Sequence, residues 1–229
     1  MFRRIFFLGL GLIFLKGGSP YAQEVLRGEV RVDLEPVYAP FVEVPQPPDI
    51  QGAHRRALEE AALFYSAMIY GWSFYYDIGE KARGIAEVFE LTPEGAIEWG
   101  DGGLYATDAQ VRNNCLYLYT DYRLNEAQKR RVSTWKSGTI RSAQATGHGP
   151  LGGPVEMSDW ITIKSSALED AARTAVRAIL RGSERNRPKE GRGFISLAAF
   201  PRYWIDGAQW AVSARFRVEI TEIVPFAAY

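Results

Sequence analysis

Apolar positions along the 229-residue chain change their spacing several times, and each change marks an element. Val30, Val32 and Leu34 alternate with Arg31 and Asp33, the period of a half-buried strand. A short extended piece, Phe41 to Val44, runs into Pro45-Gln46-Pro47-Pro48, a stiff proline connector. From about Ala53 the period lengthens. Leu58, Ala61, Ala62, Tyr65, Met68 and Ile69 fall on one helical stripe, and Arg55-Glu59 and Arg56-Glu60 form solvent-side pairs four residues apart. Asp49 is placed to start this helix and Gly71 to end it.

A second helix is marked by the capping-box spacing of Ser166 and Glu169, by the stripe Leu168, Ala172, Ala175, Val176 and Ile179, and by Gly182 at its end. Before it, Trp160 to Ile163 reads as a strand. The first helix is followed by an extended run Ala86 to Leu91, a turn Thr92-Pro93-Glu94-Gly95, a short strand Ala96 to Trp99 and the alternating run Leu116 to Tyr122. Lys129 to Ala143 reads as a further strand, joined to that run by a turn at Asn125 to Gln128, and Gly147 to Pro154 reads as a loop. The second helix is followed by Phe194 to Phe200, Tyr203 to Ile205, a turn at Asp206-Gly207 and a long strand. In that strand Trp210, Val212, Ala214, Phe216, Val218 and Ile220 share the core face, while Ser213, Arg215, Arg217, Glu219 and Thr221 share the wet one.

These elements predict an α+β fold, an antiparallel or mixed sheet with two main helices packed on one face, spanning residues 23–229 as a single domain. The frame Ala57-Leu58-Glu59-Glu60-Ala61-Ala62 returns as Ala167-Leu168-Glu169-Asp170-Ala171-Ala172, and both halves read strand, helix, strand, strand. A duplicated strand-helix-strand-strand unit, with halves 28–146 and 155–229, therefore stands beside an α+β domain without internal symmetry, because alanine-rich amphipathic helices converge on such a frame.

The N-terminus changes the picture of where the protein works. Arg3 and Arg4 precede an apolar run from Ile5 to Leu15 and a polar break at Lys16, the pattern of a secretory signal peptide, here residues 1–22 with cleavage after Ala22. The run is far shorter than the ~20 residues of a spanning helix, and no stable transmembrane segment is expected in the mature chain. An exported protein, periplasmic or secreted, follows. Removing Arg3, Arg4 and Lys16 turns a balance of 27 basic and 27 acidic residues into a small acidic excess, so nucleic acid is not an expected partner. Cys115 is the only cysteine and cannot form an intramolecular disulfide. It reads as a small buried residue opening a strand.

Candidate chemistry is sparse. The chain holds no nucleophile elbow, phosphate-cradling loop, zinc helix or paired Cys-x-x-Cys, and with only His54 and His148 neither a metal nor a cofactor is expected. His54 sits at a helix start beside Arg55 and Arg56. His148 lies in the glycine-rich stretch Thr146 to Gly153 and is a candidate binding residue, although no partner acid or nucleophile is nominated by spacing. Glu87, Glu90, Glu94, Glu98 and Asp101 supply carboxylates without showing that any two converge as a glycosidase needs.

The aromatic share, 13%, is the better lead. Tyr70, Trp72, Phe74 and Tyr76 alternate as on one strand face, Tyr117, Tyr119 and Tyr122 form a second group, and Phe200, Tyr203, Trp204 and Trp210 gather near the last hairpin. Flat rings with polar tips suit contact with a protein partner or stacking on sugars, and they also suit core packing. The candidate binding residues are therefore Tyr70, Trp72, Phe74, Tyr76, Tyr203, Trp204 and His148. The expected function is an exported, non-enzymatic cell-envelope protein that binds or scaffolds envelope protein or glycan through an aromatic-bearing surface. The alternative is a cell-wall glycan-binding or glycan-hydrolysing module, and the Tyr-rich strands with terminal Tyr229 raise an outer-membrane barrel as a weaker rival, against which the helices and Pro225 count.

Overall fold

The alternation at Val30 and Val32 builds β1 (Val25–Asp33), which pairs antiparallel with β5 (Cys115–Arg123) so that Val30 faces Leu118 and Val32 faces Leu116, all four buried. The computed structural model describes residues 24–34, 50–80, 83–151, 160–183, 188–207 and 209–225. The expected signal segment 1–22, the expected extended piece at Phe41, the proline connector, Asp49, Gly152 to Pro154 and Tyr229 lie outside the described residues. Among those described, the protein is mixed α and β with antiparallel sheets and three helices.

β4 (Leu104–Arg112) completes the small sheet in the order β1-β5-β4. It has no apolar alternation because nearly all of it is exposed; pairing with β5 holds it, through a two-residue turn in which Asn113 and Asn114 both take positive φ. The larger sheet runs β3 (Val88–Pro93), β2 (Trp72–Asp77), β7 (Pro188–Leu197), β9 (Gln209–Pro225) and β6 (Arg141–His148), with β8 (Arg202–Asp206) also on β9. β9 has the division foreseen from its pattern: Trp210, Val212, Ala214, Phe216 and Val218 are buried, while Arg215 and Thr221 are exposed. Among the described residues both sheets have end strands.

Several boundaries differ from the sequence pattern for identifiable reasons. The predicted turn at Thr92 is still strand, because β3 continues to Pro93 opposite Trp72, and Ala96 to Trp99 forms no strand. The stretch after Asn125 is α2 (Glu126–Thr134) rather than a turn and strand: Asn125 and Gln128 make a reciprocal capping box at 2.9 and 3.0 Å. Trp135 then donates its indole N–H to the carbonyl of Ile69 at 3.0 Å, tying α2 to the end of α1 (Ile50–Ile69). α3 (Trp160–Ser183) absorbs the predicted strand Trp160 to Ile163. Ser166 is an interior residue whose hydroxyl donates back to the carbonyl of Thr162, not a cap.

α3 packs on β6 and β9, whereas α1 touches β1 and β5 of the small sheet and β7 of the large one. α1 thus joins the two sheets, and its buried side is wider than the predicted stripe: Ala53, Arg56, Ala57, Glu60, Phe64 and Tyr65 are all buried. Arg55 and Glu59 form the expected surface pair at 2.9 Å, but Arg56 and Glu60 do not. The candidate halves also open differently, since β1 begins the first as a strand while the predicted strand Trp160 to Ile163 of the second is helix. No described helix is long and apolar enough to cross a membrane.

Gly147, within the predicted loop, belongs to β6 and lies directly under α3, where a Cβ would overlap the Ala171 nitrogen and the Ala167 carbonyl oxygen. Replacing Gly147 by Ala is expected to destabilise the protein by about 1–3 kcal/mol in denaturant unfolding. Gly102→Ala, where a Cβ meets nothing within 4 Å, should leave the midpoint unchanged.

Candidate functional site

The buried side of α1 brings Glu60 against α3, whose Trp160 and Lys164 are four residues apart and so project together. Glu60 is 2% exposed and Lys164 is likewise 2% exposed. The Lys164 ammonium donates to both carboxylate oxygens, at 2.9 Å to Oε1 and 2.8 Å to Oε2, and the Trp160 indole N–H donates to Oε1 as well. Three rings enclose the ammonium, with centroids 4.5 Å (Trp160), 5.0 Å (Trp210) and 5.1 Å (Tyr203) from Nζ. The Tyr203 hydroxyl donates to the Lys164 carbonyl at 3.0 Å. Charge, hydrogen bonds and ring faces together answer the loss of water around two buried ions. Burial pushes the Lys164 pKa below its ordinary value, and the Glu60 carboxylate opposes that shift.

Beside this pair lies a cavity of about 430 Å³, walled by Glu29, Val30, Arg31 and Asp33 of β1, by residues 201–205 at β8, and by Glu60, Phe64, Lys164 and Trp210. Tyr203 is stacked on Phe64, and Trp204 at the rim is 39% exposed. Next to the β1 wall, the Cys115 thiol donates to Asp33 at 2.9 Å and accepts from the Arg31 Nε at 3.3 Å. Burial and the hydrogen bond to Asp33 push the thiol pKa up, which keeps it protonated. A concave site holding a few converging polar groups and a displaced lysine pKa has the physical marks of a binding site.

The candidate residues from the sequence separate into five places. Tyr203 and Trp204 share the cavity above the ion pair. Phe74 and Tyr76, at 4% and 2% exposure, are core side chains rather than recognition surface, because that face of β2 is turned inward. Tyr70 precedes β2 and accepts a hydrogen bond from Gln128 at 2.9 Å. Trp72 lines a separate apolar groove of about 310 Å³ with Trp99, which is 59% exposed and lies beneath the Arg55 guanidinium. His148 ends β6 in a third hollow with Glu87, Glu169, Asp170 and Arg173, and its Nε2 is 4.0 Å from Asp206. The carboxylates around Glu87 do not converge: Glu87 binds Arg177, and Asp101 accepts from Gly103 N and the Tyr122 hydroxyl. Among the described residues no three His, Cys, Asp or Glu side chains gather as metal ligands.

Glu60, Lys164 and Trp160 were missed from the sequence because Arg56 offered Glu60 a surface partner and the start of α3 resembled a strand. The available signal was the spacing of Trp160 and Lys164, which places both on one side of a helix.

The chain belongs to the protein family whose model matches residues 15–226. It is similar to an uncharacterized protein of Treponema pallidum (strain Nichols), 25% identical over 171 residues, which make up 75% of this chain and 69% of that one. No solved structure matches it.

Removing one member of the ion pair leaves the other charged and buried. Lys164→Met or Glu60→Leu alone should therefore lower the unfolding free energy by about 3–5 kcal/mol, and the double variant should recover most of that loss. A double-mutant cycle in denaturant measures it directly. Alkaline pH tests the tyrosines. Burial pushes Tyr203 well above its ordinary pKa of 10.0, with Glu60 adding to the rise, and pushes Tyr65 up to about 12 against the opposing hydrogen bond to Thr120. The unfolded chain gives up these protons first, so the Tyr65 contribution is complete below pH 10 and is lost as pH rises through about 12, and the Tyr203 contribution is lost in the same direction. Unfolding free energy should fall across that window while the absorbance of Tyr65 and Tyr203 phenolates appears late.

Proposed function

We propose that this is an exported, non-enzymatic cell-envelope protein, periplasmic or secreted once residues 1–22 are removed, and that it holds an envelope component in the cavity above the Glu60–Lys164 pair. The carrying observation is that Tyr203 and the half-open Trp204 meet a preformed polar floor in one hollow of about 430 Å³. A non-enzymatic role is supported by the commitment of two of the three cavity acids: Glu60 is bound by Lys164 and Trp160, and Asp33 by Cys115 and Arg31. The duplicated-unit reading has support only in the repeated helical frame.

The glycan-binding alternative is favoured by a different feature, the Trp72 and Trp99 walls of the second groove, where a flat sugar face has two indoles to stack on. Trp72→Ala or Trp99→Ala would lower retention on insoluble cell wall under that alternative and leave it unchanged under the leading one.

Two measurements test the leading reading. N-terminal sequencing of the protein from an envelope fraction should begin near Gln23; a chain starting at Met1 and remaining in the cytoplasm would refute export. A photo-crosslinking residue at position 204 in living cells should yield an adduct with an envelope component, absent when the same residue replaces the exposed Val111 of β4. Equal labelling at both positions would refute the cavity as the binding site.

A further inference from the structure

On its β8 side the cavity above the ion pair is bounded by a strand edge rather than a strand face. A hollow lying over one face of a strand meets every second residue, because successive side chains point to opposite sides. Here β8 contributes Arg202, Tyr203, Trp204 and Ile205 in succession while its partner β9 contributes only Trp210, whereas β1 lines the opposite wall through Glu29, Arg31 and Asp33 on one face together with Val30. β1 is the end strand of the small sheet, and β8 pairs with β9 alone among the described residues. On the same side of β9, β7 has β2 as its outer neighbour, whereas beside β8 the corresponding row carries no strand among the described residues. Main-chain donors and acceptors directed away from β9 therefore border the cavity with no ladder partner among the described residues, the arrangement that accepts an added strand.

The side chains specify what such a strand carries. Arg202 and Trp204 lie two residues apart on the exposed face of β8, with Tyr203 and Ile205 on the other. Arg202 has no carboxylate partner among the described residues, whereas Arg31 is paired with Asp33 and Lys164 with Glu60. We propose that the cavity binds an extended peptide segment of another envelope protein, added antiparallel to the free edge of β8, with an apolar residue against Trp204 and, two residues later, an acidic residue opposite Arg202. The proposal rests on the reading of this cavity as the binding site and adds the class of ligand and its pattern.

The test uses the full mature chain and a pool of seven-residue peptides, acetylated and amidated, with Phe at position three, Glu at position five and every other position varied. A member of the pool should bind and slow amide hydrogen exchange along residues 202–205. Methylating alternate peptide nitrogens should weaken binding about tenfold or more for one alternate set and little for the other, since only one set faces the β8 edge. Glu to Lys in the peptide should weaken binding about twofold to fivefold and be restored by Arg202→Glu, a surface change that leaves folding intact. Equal tolerance of both methylated sets, protection elsewhere in the chain, or an empty pool would overturn strand addition. If the pool is empty while position 204 still crosslinks to a glycan, the peptide is wrong and the cavity stands. If position 204 also gives no specific adduct, both readings fall together.

Discussion

The arrangement depends on one buried ion pair. Two charges excluded from water would each be destabilising by several kcal/mol, and Glu60 and Lys164 persist because each is the other's replacement solvent. The carboxylate accepts from Lys164 on both oxygens and from the Trp160 N–H on one, while ring faces lie around the ammonium. The pair also crosses the architecture. Glu60 sits on the helix that bridges the two sheets and Lys164 on the helix that covers β6 and β9, so the contact fixes how these layers meet.

A polar floor has a consequence for the space next to it. The side chains that enclose Lys164, Tyr203 and Trp210 in particular, are also walls of the cavity, so the ligand-facing surface is held by the same contacts that stabilise the core. Rings positioned in this way lose little freedom on binding, which is how a preorganised site gains affinity. Cys115 illustrates the opposite outcome for a reactive group: its thiol is tied between Asp33 and Arg31, and burial keeps it protonated. The family match spans most of the chain and includes both members of the ion pair.

Much of the sheet was visible in the sequence because β1, β5 and β9 each bury one face only, and period-two alternation reports that arrangement. β4 gave no signal because it buries almost nothing, and α2 was hidden because only Gln128 and Val132 of its nine residues face inward. The start of α3 was obscured by Trp160-Ile161-Thr162-Ile163, whose bulky and branched side chains favour strands until tertiary packing overrides them. Of the candidate site, Tyr203 and Trp204 were found from aromatic clustering. That same clustering gathered Phe74 and Tyr76 with them, since ring content does not distinguish a core face from a cavity wall.

The sequence by itself determined the α+β class, the last hairpin, the amphipathic character of the two long helices and the signal-like N-terminus, all of which follow from local spacing and composition. The tertiary structure alone decided which charge meets which. Glu60 has Arg56 one turn away in its own helix, yet its partner is Lys164, 104 residues later, because the face of α1 that carries Glu60 is buried where α1 meets both sheets and the Lys164 side chain reaches it there. Local spacing ranks partners by distance along the chain, whereas a buried charge is settled by whichever opposite charge the packing encloses with it.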